Sequence, residues 1–412
     1  MKKRLLALCL ALCCLMLSGC SIADFMQGGD YATKEDLEEL KDLQTSAPGN
    51  NYTVNINATE DASRLGAAKA LLSVVSITCG FEEVVSSGWF GSPSQNIQET
   101  LYYGSGVIYQ LDKTKGDAYI ITNYHVVYNS SSTAQNGISD DIKIFLYGSE
   151  NEQNAIKATF VGGSANYDIA ILKVSGSAIL KQSVAAAVTF ADSDKVSVLD
   201  TAIAIGNPAG MGISATAGYV SVDSEEISLN ITGSSLVTMR VMRVDTAVNG
   251  GNSGGGLFNE SGNLIGIVNA KMSDSRIENI AYAIPANVAK SLATSILSSD
   301  DGHPTRCILG VVPSVKDSKA IYDEENGKVS ILETVAITAI NNGSVAEGKL
   351  EIGDEIRSLT IDGKKITIER KFQVIESMFA ARVGSTVVFE IVRGTETMNV
   401  TFTITENMVT PM

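Results

Sequence analysis

Residues 250–257 read GGNSGGGL, and the apolar run LIGIVNA follows at 264–270. Five glycines surround Ser253. Glycine permits φ > 0 and lets the backbone approach a ligand closely. A tight Gly-rich turn aims consecutive N–H groups inward as an anion-binding nest. In acyl transfer such a nest is an oxyanion hole, where loss of one donor costs about 10²–10³ in rate. A flexible hairpin loop has the same composition, but the apolar run behind this one anchors it.

A serine nucleophile needs a base, and the chain has two histidines. His303 lies in the polar stretch SSDDGHPT at 298–305, where no packed site holds it. His125 lies in ITNYHVV, right after the strand-like AYIIT, so any mechanism with a histidine base must use His125. A free histidine titrates near neutrality, which suits proton transfer. Taken alone, a half-buried loop histidine is the better reading. Asp168 opens DIAILKV, a nearly continuous apolar run. A carboxylate at the head of a buried strand must be paired or hydrogen-bonded, or it costs several kcal/mol. Donation from His125 satisfies it; a turn aspartate before a strand is the plainer alternative.

Outward from these segments, short β-type runs separated by Gly, Asn and Asp clusters fill residues 65–298. About a dozen strands there fit one large barrel-type domain or a pair of barrels. NVAKSLATSIL (287–297) reads as a closing helix capped by Asn287. A linker at 299–305 precedes a second, smaller module at 306–405. The 44% hydrophobic and 19% charged content of the 412 residues marks a folded protein. A net charge of −15 excludes a nucleic-acid partner, because phosphates are repelled. It also fits poorly with an electrostatic grip on anionic lipid.

At the N-terminus, Lys2, Lys3 and Arg4 precede an apolar stretch, Leu5 to Leu17, that is too short to span a bilayer. Residues 1–20 read as an export signal. Residues 21–64 read as a spacer with a short helix over Thr33 to Gln44 and a polar linker behind it. Of six cysteines, only Cys79 and Cys307 fall in the folded part, in different modules, so no disulfide framework is expected. No metal-type Cys/His spacing occurs, and neither metal nor cofactor is expected.

TNYHVV, YDIAILKV and GNSGGGL, in that order, resemble the HtrA/DegP-type branch of chymotrypsin-fold (trypsin-like) serine proteases. GSGVI at 104–108, AIGNPAG at 204–210, GYVS at 218–221 and YAIP at 282–285 match as companions, and the resemblance covers roughly 65–405. It implies a mainly β fold: a chymotrypsin-like double β-barrel followed by a smaller PDZ-like α+β domain. It implies a catalytic triad of His125, Asp168 and Ser253. Gly251, Asn252 and Ser253 would form the oxyanion hole, with the N–H groups of Gly251 and Ser253 as donors. Ile280 and Ala283 would wall an apolar pocket, giving cleavage after small or medium aliphatic residues. Gly250 and Gly256 depart from the family pattern, which usually has Pro there, and this puts the pre-organisation of the turn in doubt.

Ile308-Leu309-Gly310-Val311, SVAEGKLEIGDEI (344–356) and IDGKKI (361–366) resemble a PDZ domain, with Gly348-Lys349-Leu350 in place of the usual Ala-Gly-Leu. The resemblance implies that Leu309, Gly310 and Val311 receive C-terminal peptides, added as a strand to the sheet edge. Leu17-Ser18-Gly19-Cys20 resembles the bacterial lipobox, which implies a lipid on Cys20 and an extracytoplasmic, membrane-anchored lipoprotein. The family further implies unfolded or damaged exported polypeptides as substrates, regulation by PDZ peptides, and a homo-oligomer, usually a trimer. The competing class is a peptide-binding scaffold with a silent protease fold. Phe81 to Tyr102, a polar stretch resembling the family's variable regulatory loop, has no conformation assigned from sequence.

Overall fold

The computed structural model describes residues 62–87, 94–134, 136–230, 236–269, 280–325 and 327–412. The signal, Cys20 and the spacer helix over 33–44 lie outside the described residues. Twelve strands form two closed six-stranded antiparallel barrels. The first comprises β1 (Val74–Ser87), β2 (Ser94–Asp112), β3 (Asp117–Thr122), β4 (Asp141–Leu146), β5 (Ile156–Ser164) and β6 (Ile169–Val174). The second comprises β7 (Thr201–Gly206), β8 (Ser214–Asn230), β9 (Leu236–Val244), β10 (Gly256–Phe258), β11 (Leu264–Asn269) and β12 (Ala281–Pro285).

Strand β6 shows why its sequence is apolar at nearly every position. Ala170 and Leu172 pack inside the first barrel, while Ile169 and Ile171 pack into a cluster contributed by both barrels. A strand covered on both faces has no solvent side to make polar. Strand β7 alternates by size instead. Ile203 and Ile205 enter the shared cluster, whereas Ala202 and Ala204 meet Ala281, Ala283 and Val268 in the tighter second barrel. The helix Ala286–Ser298 closes the shared cluster with Leu292 and Ile296. Pro285 precedes it, so Asn287 is not its cap. It sits inside the first turn and donates from Nδ2 to Asp192 Oδ1 at 2.8 Å.

Within the stretch Phe81 to Tyr102, the described residues 81–87 and 94–102 lie on two long antiparallel strands. Strands β1 and β2 pair without a break from Val74↔Val107 to Ser87↔Ser94, and Phe81 meets Tyr102 edge-on at 5.2 Å. Ile97, Leu101 and Tyr103 are exposed along it.

The second module is a sheet ordered β14 (Val311–Asp323), β15 (Lys328–Ile340), β16 (Glu355–Ile361), β18 (Thr386–Arg393) and β19 (Glu396–Thr403), with β17 (Lys364–Thr367) on β16. A small pair, β13 (Thr305–Cys307) with β20 (Val409–Pro411), joins its ends. The helix Lys371–Ser377 packs beside the edge strand β14. This helix also meets the second barrel. Arg240 on β9 grips Glu376 through two bonds of 2.6 and 2.7 Å, reaches Asp194 at 2.9 Å and lies 3.7 Å from the Phe372 ring centre. Arg370 bonds Asp223 at 2.6 Å and Lys371 bonds Glu226 at 2.8 Å. Phe379, just past the helix, enters the shared cluster and meets Tyr167 edge-on.

Asp354, at the entry to β16, is a buried charge of this module. Arg393 donates to both its oxygens at 2.7 Å, and the Glu351 N–H donates at 2.8 Å. Burial opposes ionisation, but these donors outweigh it and hold the carboxyl below its ordinary range. Its stabilising contribution is therefore fully present above the unfolded value near ~3.9 and is lost as pH falls through the lowered folded value. Asp354→Asn should cost about 1.5–3 kcal/mol at pH 7, the usual worth of hydrogen bonds to charged groups. Urea melts of both proteins from pH 7 to pH 3 check this. The gap should begin to narrow below about pH 4, and a gap independent of pH would refute the assignment.

Candidate active site

Strand β3 ends at Thr122, and the chain turns into a single helical turn, Tyr124–Val127, that carries His125. Asn123 occupies the N-cap position without capping. Its Nδ2 instead donates to the Asp168 carbonyl at 2.8 Å. The cap is supplied by Asp168, whose Oδ1 accepts the His125 backbone N–H at 2.9 Å. Asp168 Oδ2 lies 2.6 Å from His125 Nδ1 and accepts from Asn269 Nδ2 at 2.5 Å. A carboxylate only accepts, so the Nδ1 nitrogen carries the proton of this pair. The Asp168 side chain is 0% exposed and that of His125 is 15% exposed, which leaves the ring edge as the accessible part. Asp168 holds a φ of 51°, a left-handed conformation that costs a non-glycine residue on the order of 1–3 kcal/mol. Bonds to both its carbonyl and its carboxylate fix it there.

Ser253 is buried in the glycine turn between β9 and β10, with its carbonyl accepting from the Ser105 N–H at 2.8 Å. Gly251 has φ 98° and Gly254 φ 83°. A Cβ on Gly254 would lie 2.2 Å from Ser105 O, 2.3 Å from Thr122 Oγ1 and 3.0 Å from Asn123 N. The serine turn thus packs directly on the end of β3, beside the turn that carries His125. The carbonyls that precede the Gly251 and Ser253 N–H groups are both tied down. Gly250 O accepts from Ala209 N at 2.7 Å, and Asn252 O accepts from Gly255 N at 2.9 Å. Trans peptides point C=O and N–H in opposite directions. The N–H groups of Gly251 and Ser253 therefore leave the turn on the side away from those partners.

The two unusual glycines differ. Gly250 faces open space, whereas a Cβ on Gly256 would lie 2.3 Å from the Phe258 ring, which fills that volume. Ala283 is fully buried among the small residues of the second barrel, and Ile280 is half-buried just before β12. Residues 270–279, which adjoin Ile280, lie outside the described residues. Leu309 is buried, Gly310 has φ 84° with its carbonyl bonded to Asn341 N, and Val311 begins the edge strand β14. Cys79 and Cys307 are both buried free thiols, and burial pushes them up to about 12 and about 11.

Sequence reasoning passed over Asn123, Asn269 and Ser105. Asn269 had a readable signal: it ends the apolar run LIGIV, and a buried strand amide must find a partner.

Gly254→Ala places a side chain in a left-handed conformation, at a cost of about 1–2 kcal/mol, and drives it into backbone. Differential scanning calorimetry should show a Tm several degrees lower, whereas Gly250→Ala, with open space around it, should melt like the parent. Equal melting of the two variants would contradict the packing.

A model of the trypsin-like peptidase domain matches residues 104–267. Serine protease Do-like HtrA of Lactococcus lactis subsp. cremoris is 32% identical over 327 residues, covering 76% of this chain and 75% of the relative. Serine protease Do-like HtrA of Bacillus subtilis is 32% identical over 350 residues, covering 82% and 72%. Among solved structures, the HtrA-type protease AlgW with a tripeptide superposes with a TM-score of 0.52 at 25% identity, covering 85% of this chain and 98% of that one. The chain with a decapeptide gives 0.51 over 82% and 97%. With two chymotrypsin-like barrels and these relatives, the chain belongs to the HtrA (Do-like) family of serine proteases and is a serine endopeptidase.

Proposed function

We propose that His125, Asp168 and Ser253 are the catalytic triad of this endopeptidase, and that the N–H groups of Gly251 and Ser253, with Asn252 between them, form its oxyanion hole. The observation that carries this reading is the buried Asp168 carboxylate bonded to His125 Nδ1 beside a glycine turn that presents Ser253. His125 Nε2 takes the Ser253 hydroxyl proton as the oxygen attacks the peptide carbonyl. The resulting oxyanion is held by the two N–H groups, and the developing imidazolium by Asp168. His125 then gives its proton to the leaving amine, and a water repeats the cycle on the acyl-enzyme.

Residues 65–298 form the protease domain and 306–405 a PDZ-like domain joined by 299–305. The exposed edge of β14, opened by Leu309, Gly310 and Val311, supports the binding of C-terminal peptides there. AlgW, one of the structural neighbours, carries bound peptides. The substrates are unfolded exported polypeptides outside the cytoplasm, and PDZ peptides regulate the enzyme. The chain acts as a homo-oligomer held to a membrane through a lipid on Cys20. Among the described residues no helix is long and apolar enough to cross a membrane.

A fluorophosphonate should label the intact protein, and Ser253→Ala should lose both the label and digestion of a denatured casein-like substrate. Persistent digestion by that variant would reject the triad, and an unlabelled, inert parent would favour the scaffold reading. With Ile280 and Ala283 apolar, peptide-library profiling should give cuts after small or medium aliphatic residues. Dominant cutting after Lys or Arg would reject the pocket.

A further inference from the structure

We infer that Ser105 is a positioning residue for this reaction: its hydroxyl, supplied by the first barrel, holds the oxyanion turn of the second barrel in its donor-inward conformation. The inference rests on the reading of Ser253 as the nucleophile.

Ser105 lies on β2 with no exposed surface, and all of its polar groups are used. Its N–H donates to Ser253 O at 2.8 Å, and its carbonyl accepts from Thr122 Oγ1 at 2.7 Å. Its Oγ donates to Gly251 O at 2.7 Å and accepts from the Asn207 N–H at 2.8 Å. The direction of these last two bonds is not adjustable. Asn207 N can only donate and Gly251 O can only accept, so the single hydroxyl proton must point at Gly251.

The consequence falls on the turn. Gly250 and Gly251 have no side chains to resist rotation of the peptide between them, and Gly250 faces open space. One bond stands directly against that rotation, and a second fixes the next plane, which joins it to the peptide carrying the Ser253 N–H. Ala209 N holds the carbonyl before the Gly251 N–H, and Ser105 Oγ holds the carbonyl after it. With both planes fixed, the Gly251 N–H points away from Ala209. Without the hydroxyl, the Gly251 carbonyl and the Asn207 N–H are left buried and unpaired, and the turn can re-orient to satisfy them. The bond from Ser105 N–H to Ser253 O is backbone and survives side-chain changes. A Ser105 variant therefore loosens the Gly251 donor while the nucleophile's own peptide stays tied.

The test uses the full chain and a fluorogenic peptide that the parent cleaves. Ser105→Ala should lower kcat about 10–100-fold, up to the cost of a lost oxyanion donor. KM should stay within about twofold. A peptide aldehyde, whose adduct places an oxyanion at the same N–H groups, should bind more weakly by the same factor as the loss in kcat/KM. The acid limb of the pH–rate profile should not move, because His125, Asp168 and Asn269 are untouched. Ser105→Cys, with similar volume and a weaker donor, should fall between, and it decides the matter if the alanine variant does not fold. A kcat within about twofold of the parent in either folded variant, or a loss confined to KM, would overturn the inference. Fluorophosphonate labelling separates the two levels. An unlabelled parent sinks the triad reading and this inference with it. A labelled parent with unchanged turnover in Ser105→Ala sinks only the inference.

Discussion

A carboxylate with no exposed surface has to be surrounded by donors, and Asp168 draws its donors from both barrels. The His125 ring and backbone come from the end of β3 in the first barrel, and Asn269 comes from the end of β11 in the second. An ionised group left unpaired in such a place costs several kcal/mol. The seam therefore has to close on Asp168 for either barrel to be comfortable, and closing it brings the histidine up to the serine turn. The left-handed conformation of Asp168 is part of the same arrangement. It is tolerated because Asn123 and the carboxylate's own partners over-determine it.

The glycine turn obeys a second constraint of the same seam. Backbone from the turn meets backbone from β2 and β3 at distances that leave no room for a side chain at Gly254. What looks in the sequence like flexibility is here mostly close approach. Rigidity comes from outside the turn, through bonds to Ala209, Ser105 and Val268. A loop of this kind is only as well formed as the strands that grip it, so its order is a tertiary property and not a local one.

This explains what could be read from the sequence and what could not. His125 emerged by counting, because its only rival sits in a linker. Asp168 emerged because a charge heading an apolar strand demands a partner. Ser253 emerged from the glycines around it. The many short apolar runs pointed to one large barrel or a pair, and the family resemblance chose the pair. Ser105 stayed hidden because GSGVI looks like the start of a strand, and its four bonds exist only once β2, β3, β7 and the serine turn have met. Asn287 was misread as a cap because Pro285 carries β12 straight into the helix. The pairing of residues 81–87 with 94–102 was unreadable because it is long, regular and carries no sequence alternation that a buried face would impose. The ion pairs joining the modules were equally illegible, since Arg240 and Glu376 are over a hundred residues apart.

Those ion pairs also say something about how the two modules are joined. Phe379 is the aromatic anchor, buried against Tyr167, and the charged groups stand around it. Arg240 serves two carboxylates at once. Burial pushes Glu376 up, and the nearby Asp194 adds to that, against the pull of Arg240. A buried ion pair of this type roughly balances its own desolvation, so it adds little to the net strength of docking. It acts instead on geometry: any other placement of the helix Lys371–Ser377 leaves at least one of these charges buried without its partner. The same helix flanks β14, the edge proposed to receive peptide. A strand inserted there has to be accommodated by a helix already bonded to β8 and β9 of the protease barrel.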